Sequence, residues 1–120
     1  LLSDQRMPSG WATSVTEIKL PGTFVDVTDN TKTTTEIPAG FCENFTHITS
    51  VNIPNTITSV GESAFRGCTQ LNVVDWSTAL VEIKEHAFER CGFGPTLIIP
   101  NSVQYIREDA FRNCYYVNYL

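Results

Sequence analysis

The side chains best equipped for chemistry in this sequence are four cysteines, Cys42, Cys68, Cys91 and Cys114, and two histidines, His47 and His86. No two cysteines form a CxxC pair, so neither a structural zinc site nor a thioredoxin-like motif is indicated. A catalytic thiolate needs exposure and positive neighbours. Neither histidine falls in register with a carboxylate or cysteine placed for a nucleophilic triad, and both read as surface or edge residues. Glu62, Glu85 and Glu108 recur at one interval, a carboxylate row that at first sight suggests a metal strip. The simpler reading sets each glutamate early in a short helical turn, favoured by its positive end, with Arg66 and Arg112 four residues on to relieve repulsion. There is no calcium-binding loop and no phosphate-cradling glycine loop. Asn44-Phe45-Thr46 is a glycosylation sequon whose middle residue occupies a core position.

The cysteines are better understood as punctuation. Cys68, Cys91 and Cys114 are separated by 23 residues, and the same step links Ala64, Ala87 and Ala110; Phe65, Phe88 and Phe111; and Ile37, Val60, Ile83 and Ile106. It also links Val51, Val74 and Leu97; Ile53, Trp76 and Ile99; and Ile57, Leu80 and Val103. So many columns agreeing on one period define a solenoid. Three full repeats occupy 46–68, 69–91 and 92–114. A degenerate first repeat spans 18–45, with a Thr- and Asp-rich insertion at 23–35 that reads as a surface loop or extended hairpin. Residues 1–17 form an N-terminal flank or cap, and 115–120 begin a further repeat.

Within a repeat, the alternation Ile48-Thr49-Ser50-Val51-Asn52-Ile53 before Pro54 predicts a short strand, and Ile57 to Val60 a second extended piece. Glu62 to Cys68, with its Ala-Phe pair and cysteine, predicts a short α or 3₁₀ turn. No such unit buries its own apolar face, so the units must stack. Rungs about 4.8 Å apart bring the cysteines close, but parallel side chains give the wrong torsion for a disulfide. Buried free thiols acting as small apolar fillers are expected.

Composition narrows the partners. The chain has 120 residues, with eight Lys plus Arg against thirteen Asp plus Glu. It is the size of one domain, and its acidic surface argues against nucleic acid. No apolar run approaches a membrane span, and the N-terminus lacks the layout of a signal peptide, which points to a soluble chain.

The pattern Ile99-Pro100-Asn101-Ser102-Val103-Gln104-Tyr105-Ile106, continued by Ala110-Phe111-Arg112-Asn113-Cys114, resembles the BspA-like leucine-rich repeats. The resemblance runs from Thr35 to Leu120 and more weakly back to Ile18. The departures are Trp76-Ser77 in place of Ile-Pro, Lys84 and Arg107 in place of Gly, Gly94 in place of Leu, and Phe45 in a cysteine column. The resemblance implies a leucine-rich-repeat-like stack of short parallel strands, and family members are commonly surface proteins of bacteria and protists used in adhesion and protein binding. It implies no enzymatic activity, cofactor or small-molecule substrate.

If the alternate strand positions point inward, Ser50, Asn52, Val73, Asp75, Thr96 and Ile98 point outward. Val73 and Ile98 are then exposed apolar contacts on a polar sheet. Tyr115, Tyr116 and Tyr119 offer a second candidate surface at the far end. Two non-enzymatic roles follow. One is an adhesion or protein-binding module of a larger surface or secreted protein. The other is a structural accessory subunit inside a large multiprotein assembly, with an intracellular location as its counterpart.

Overall fold

The computed structural model describes residues 6–20, 24–25, 33–94 and 97–114. Its strands are β1 (Glu17–Ile18), β2 (Phe24–Val25), β3 (Thr33–Thr34), β4 (Glu36–Ile37), β5 (Ser50–Asn52), β6 (Ser59–Val60), β7 (Val73–Asp75), β8 (Glu82–Ile83) and β9 (Tyr105–Ile106). Two parallel ladders dominate, one ordered β1-β5-β7 and the other β4-β6-β8-β9. In the second ladder Ile37, Val60, Ile83 and Ile106 lie in register, rung upon rung. The first three are buried, whereas Ile106 on the last described rung is 51% exposed. In the first ladder Ile18, Val51 and Val74 align. The chain between β1 and β4 contains the antiparallel pair β2 and β3.

Between the ladders runs an aromatic column. Phe88 stacks on Phe65 at 5.3 Å and on Phe111 at 5.4 Å between ring centroids, nearly parallel in both cases. The first rung fills the same space with a permuted set. By register with β6, Phe41 takes the alanine column, Cys42 the phenylalanine column and Phe45 the cysteine column. All three are buried. Small-large-small has become large-small-large, so the rung keeps its volume, and Phe41 meets Phe65 edge-on at 6.3 Å.

The expected short α or 3₁₀ turns are not helical. In the third side of each rung, N–H groups alternate between two kinds of partner. Ala64, Arg66 and Cys68 donate three residues back, to Gly61, Ser63 and Phe65. Ser63, Phe65 and Gly67 donate to Glu85, Ala87 and Glu89 of the next rung, and His86, Phe88 and Arg90 repeat this toward Glu108, Ala110 and Arg112. The reason is spacing: stacked α-helices need about 10 Å per rung, while hydrogen-bonded rungs repeat at about 4.8 Å. Turns fit that repeat and helices do not. The geometry requires left-handed backbone at two columns, Gly40, Ser63, His86 and Asp109, then Asn44, Gly67, Arg90 and Asn113, all with φ between 56° and 78°. Only two of these eight are glycine. The rest accept a strain of about 1–2 kcal/mol each, offset by bonds to the adjacent rung.

At the N-terminal end, a 3₁₀ turn at Ser9–Trp11 leads the chain over the first rung. Met7 donates its N–H to Phe41 C=O at 2.8 Å, and Met7, Ala12 and Val15 pack on the core. Among the described residues no helix is long and apolar enough to cross a membrane.

Candidate functional site

The outward face of ladder β1-β5-β7 gathers the residues singled out by strand alternation. Val51 is buried between Ser50 and Asn52, while Val73 and Asp75 flank Val74 on the solvent side. Val73 is 57% exposed and Ile98 is 76% exposed. A shallow concavity of about 480 Å³ lies on this face, lined by Glu17, Lys19, Ser50, Asn52, Val73 and Asp75. Glu17 and Lys19 pair with each other at 3.7 Å across its rim. Asn52 is not free for a partner. Its Oδ1 accepts from Leu20 N–H at 2.6 Å and its Nδ2 donates to Leu20 C=O at 3.1 Å, so its amide extends the ladder where β1 has ended. Thr96, Tyr115, Tyr116 and Tyr119 lie outside the described residues.

The cysteines are free and buried. They are also more than fillers. Cys68, Cys91 and Cys114 donate their thiols to the carbonyls of Cys42, Phe65 and Phe88, one rung back, at 3.1, 3.2 and 3.1 Å. Burial pushes the thiols of Cys42, Cys91 and Cys114 above the ordinary cysteine range, so the thiolate is disfavoured. His86, half-buried, has Nδ1 3.0 Å from Glu89 Oε2. The sequence reading missed that histidine–carboxylate pair, because the partner sits three residues on in a turn and not in a helix. No described thiol or hydroxyl is hydrogen-bonded to the ring to act as nucleophile. Among the described residues no group of three or more His, Cys, Asp and Glu side chains is placed to hold a metal ion.

Residues 35–120 match the family model described as BspA type leucine rich repeat region (6 copies). The chain belongs to the BspA-type leucine-rich repeat family. No curated protein matches it. Among solved structures, a leucine-rich repeat protein from Bacteroides ovatus superposes with a TM-score of 0.64 at 21% identity, covering 98% of this chain and 35% of that one. One from Bacteroides capillosus gives 0.60 at 26% identity, over 78% and 67%. A T. pallidum leucine-rich repeat protein gives 0.61 at 19%, over 94% and 69%. This chain therefore spans about a third of the length of the B. ovatus protein.

The departures from the BspA-type pattern now have local explanations. Ser77, in a proline column, is buried, donates from Oγ to Ile57 C=O at 2.7 Å and accepts from Ala79 N–H at 3.1 Å. Trp76 meets Phe88 edge-on at 5.4 Å. At Gly61 a Cβ would lie 2.4 Å from Ile37 C=O, yet Lys84 and Arg107 occupy the same column. Lys84 reaches Glu36 at 2.9 Å and Arg107 reaches Glu82 at 2.6 Å. The glutamate row is corrected. Arg66 does not screen Glu62 but sits between Glu43, at 3.8 Å, and buried Glu89, at 2.8 Å, and Arg112 pairs with Asp109 at 3.7 Å. The period carries the signal for this: Glu43, Arg66, Glu89 and Arg112 are 23 residues apart and alternate in sign.

Proposed function

We propose that this BspA-type chain is a non-enzymatic protein-binding or adhesion module of a larger surface or secreted protein, and that it meets its partner through the outer face of β1-β5-β7. The observation that carries this reading is that face itself. It combines a shallow concavity with an exposed apolar Val73 beside the carboxylate of Asp75. Such a mixture of apolar centre and polar rim suits protein recognition. Leucine-rich repeats generally serve as binding modules, which supports the same reading.

The test is photo-crosslinking from position 50 or 73 on intact cells that display the full-length protein, followed by affinity measurement with the purified partner. Val73→Asp and Ser50→Arg should each weaken binding about tenfold or more while leaving the far-ultraviolet circular dichroism unchanged. Unchanged affinity for both would move the site to Tyr115, Tyr116 and Tyr119.

A further inference from the structure

The polar groups on the outer face of β1-β5-β7 differ in what they still require. Glu17 and Lys19 neutralise each other at 3.7 Å. The Asn52 amide is occupied by both backbone groups of Leu20, at 2.6 and 3.1 Å. Ser50 carries a hydroxyl and no charge. Asp75 remains. It stands exposed at the end of β7 and makes no ion pair or side-chain hydrogen bond among the described residues. Lys19, in the same row beyond Asn52, is two rungs away, about 10 Å by the rung repeat, and is already held by Glu17.

The surroundings of this carboxylate are apolar. Val73 lies two residues earlier on the same face of the strand, about 7 Å away, and the 23-residue register sets Ile98 one rung on from Asp75. Both are exposed, and both border one cavity of about 370 Å³, so the two side chains are neighbours. A partner that covers them also strips water from Asp75. Desolvating a carboxylate without a matching cation or donor set opposes association strongly enough to cancel the gain from two small apolar contacts. The apolar contact is therefore open only to a partner that brings positive charge to this one point. Arginine meets the demand better than lysine. Its guanidinium is less strongly hydrated than an ammonium, engages a carboxylate through two parallel hydrogen bonds, and carries a methylene stem that can lie along apolar side chains.

We propose that the partner of this face presents an arginine whose guanidinium pairs with Asp75 while its stem rests on Val73 and Ile98. This rests on the reading of the face as a protein-binding surface, and it names the chemistry that the surface selects. Asp75 is then a specificity determinant, admitting arginine-bearing surfaces and rejecting neutral or acidic ones that would leave it desolvated and unpaired. The chain's net charge of −5 adds long-range attraction for a cationic partner.

The probes are the acetylated, amidated pentapeptide Thr-Val-Arg-Val-Thr and its citrulline counterpart, which keeps the shape of arginine without the charge. Each is titrated onto the whole chain and followed through the methyl resonances of Val73 and Ile98. The arginine peptide should saturate in the millimolar range and bind about tenfold more tightly than the citrulline peptide. Asp75→Asn, which preserves side-chain size, should bring the two within about twofold, and added salt should narrow the difference in the wild-type chain. Equal binding of both peptides, an arginine preference that survives Asp75→Asn, or no saturable shift at Val73 and Ile98 would each overturn the proposal. On the cellular partner Asp75→Asn should weaken binding about tenfold. If Val73→Asp and Ser50→Arg weaken that partner while Asp75→Asn does not, the arginine assignment falls and the protein-binding face stands. If neither Val73→Asp nor Ser50→Arg has an effect, the face itself falls, and the arginine assignment with it.

Discussion

The two parallel ladders share one repeat and one core, yet among the described residues the third repeat adds a strand to only one of them. Ladder β4-β6-β8 continues into β9 through Tyr105 and Ile106, while ladder β1-β5 stops at β7. The entry to each strand differs in hydrogen-bonding capacity. Gln104 and Tyr105 both donate N–H groups to Val81 C=O, at 2.8 and 3.1 Å, as Val81 and Glu82 do to Thr58. On the other side, the donor column passes from Thr49 and Asn72 to Pro95. The third repeat thus has one backbone donor fewer in that column and no side chain at Gly94, although the apolar columns through Leu97 and Ile99 continue the period.

The largest effect should come from breaking what the ladders share. Phe88 touches Phe65, Trp76, Phe93 and Phe111, so Phe88→Ala should cost about 3–5 kcal/mol in urea unfolding. A midpoint that does not move would show that the aromatic column does not hold the stack together. The next contrast is between equivalent positions of the two ladders. Ile83 is fully buried and Val74 only partly, so Ile83→Ala should cost about 2–4 kcal/mol and Val74→Ala less than half of that. Equal costs would mean that the short ladder is as closed as the long one.

The contrast is sharpened by repairing it. A Cβ at Gly94 meets nothing within 4 Å, and its φ is not in the left-handed region. Gly94→Leu combined with Pro95→Asn, which restores the Leu71-Asn72 pair, should raise stability by about 1–2 kcal/mol and slow exchange of the Val74 amide. Destabilisation would show that the third repeat does not close for some other reason. Cys91→Ala, which removes one thiol-to-carbonyl bond in the core, should cost about 1 kcal/mol, while Ellman's reagent should label the wild-type thiols only after denaturant is added. Rapid labelling of the folded chain would contradict the buried column. The smallest effect belongs to the exposed side of the longer ladder. Glu36 holds the Lys84 ammonium above the ordinary lysine range, chiefly by hydrogen bonding. A raised pKa on a cation means stability that is fully present below the unfolded value and fades as pH rises through the folded one. For this largely solvated pair Lys84→Met should cost about 0.5 kcal/mol at neutral pH and nothing measurable in strong alkali.

How much of this was legible can be judged column by column. The lines Ile37-Val60-Ile83-Ile106 and Phe65-Phe88-Phe111 were readable because period and hydrophobicity alone decide which side chains must face a shared core. The outward set was readable in part. Alternation puts Ser50, Val73, Asp75 and Ile98 outside, but it does not reveal that the Asn52 amide is consumed by the backbone of Leu20. The alternating charges at Glu43, Arg66, Glu89 and Arg112 stand at the same period, but their pairing depends on turns where the spacing from Glu62 suggests a helix.

The sequence by itself determined the period, the solenoid and the identity of the inward columns, because each repeat has the same apolar spacing and cannot bury it alone. Only the tertiary structure decided that the third side is made of turns, since that depends on the distance between neighbouring rungs and not on any residue within one. It also decided the work of the cysteines. A column of small buried side chains is consistent with alanine or cysteine alike until the carbonyls of Cys42, Phe65 and Phe88 are seen one rung back, each within reach of a thiol donor.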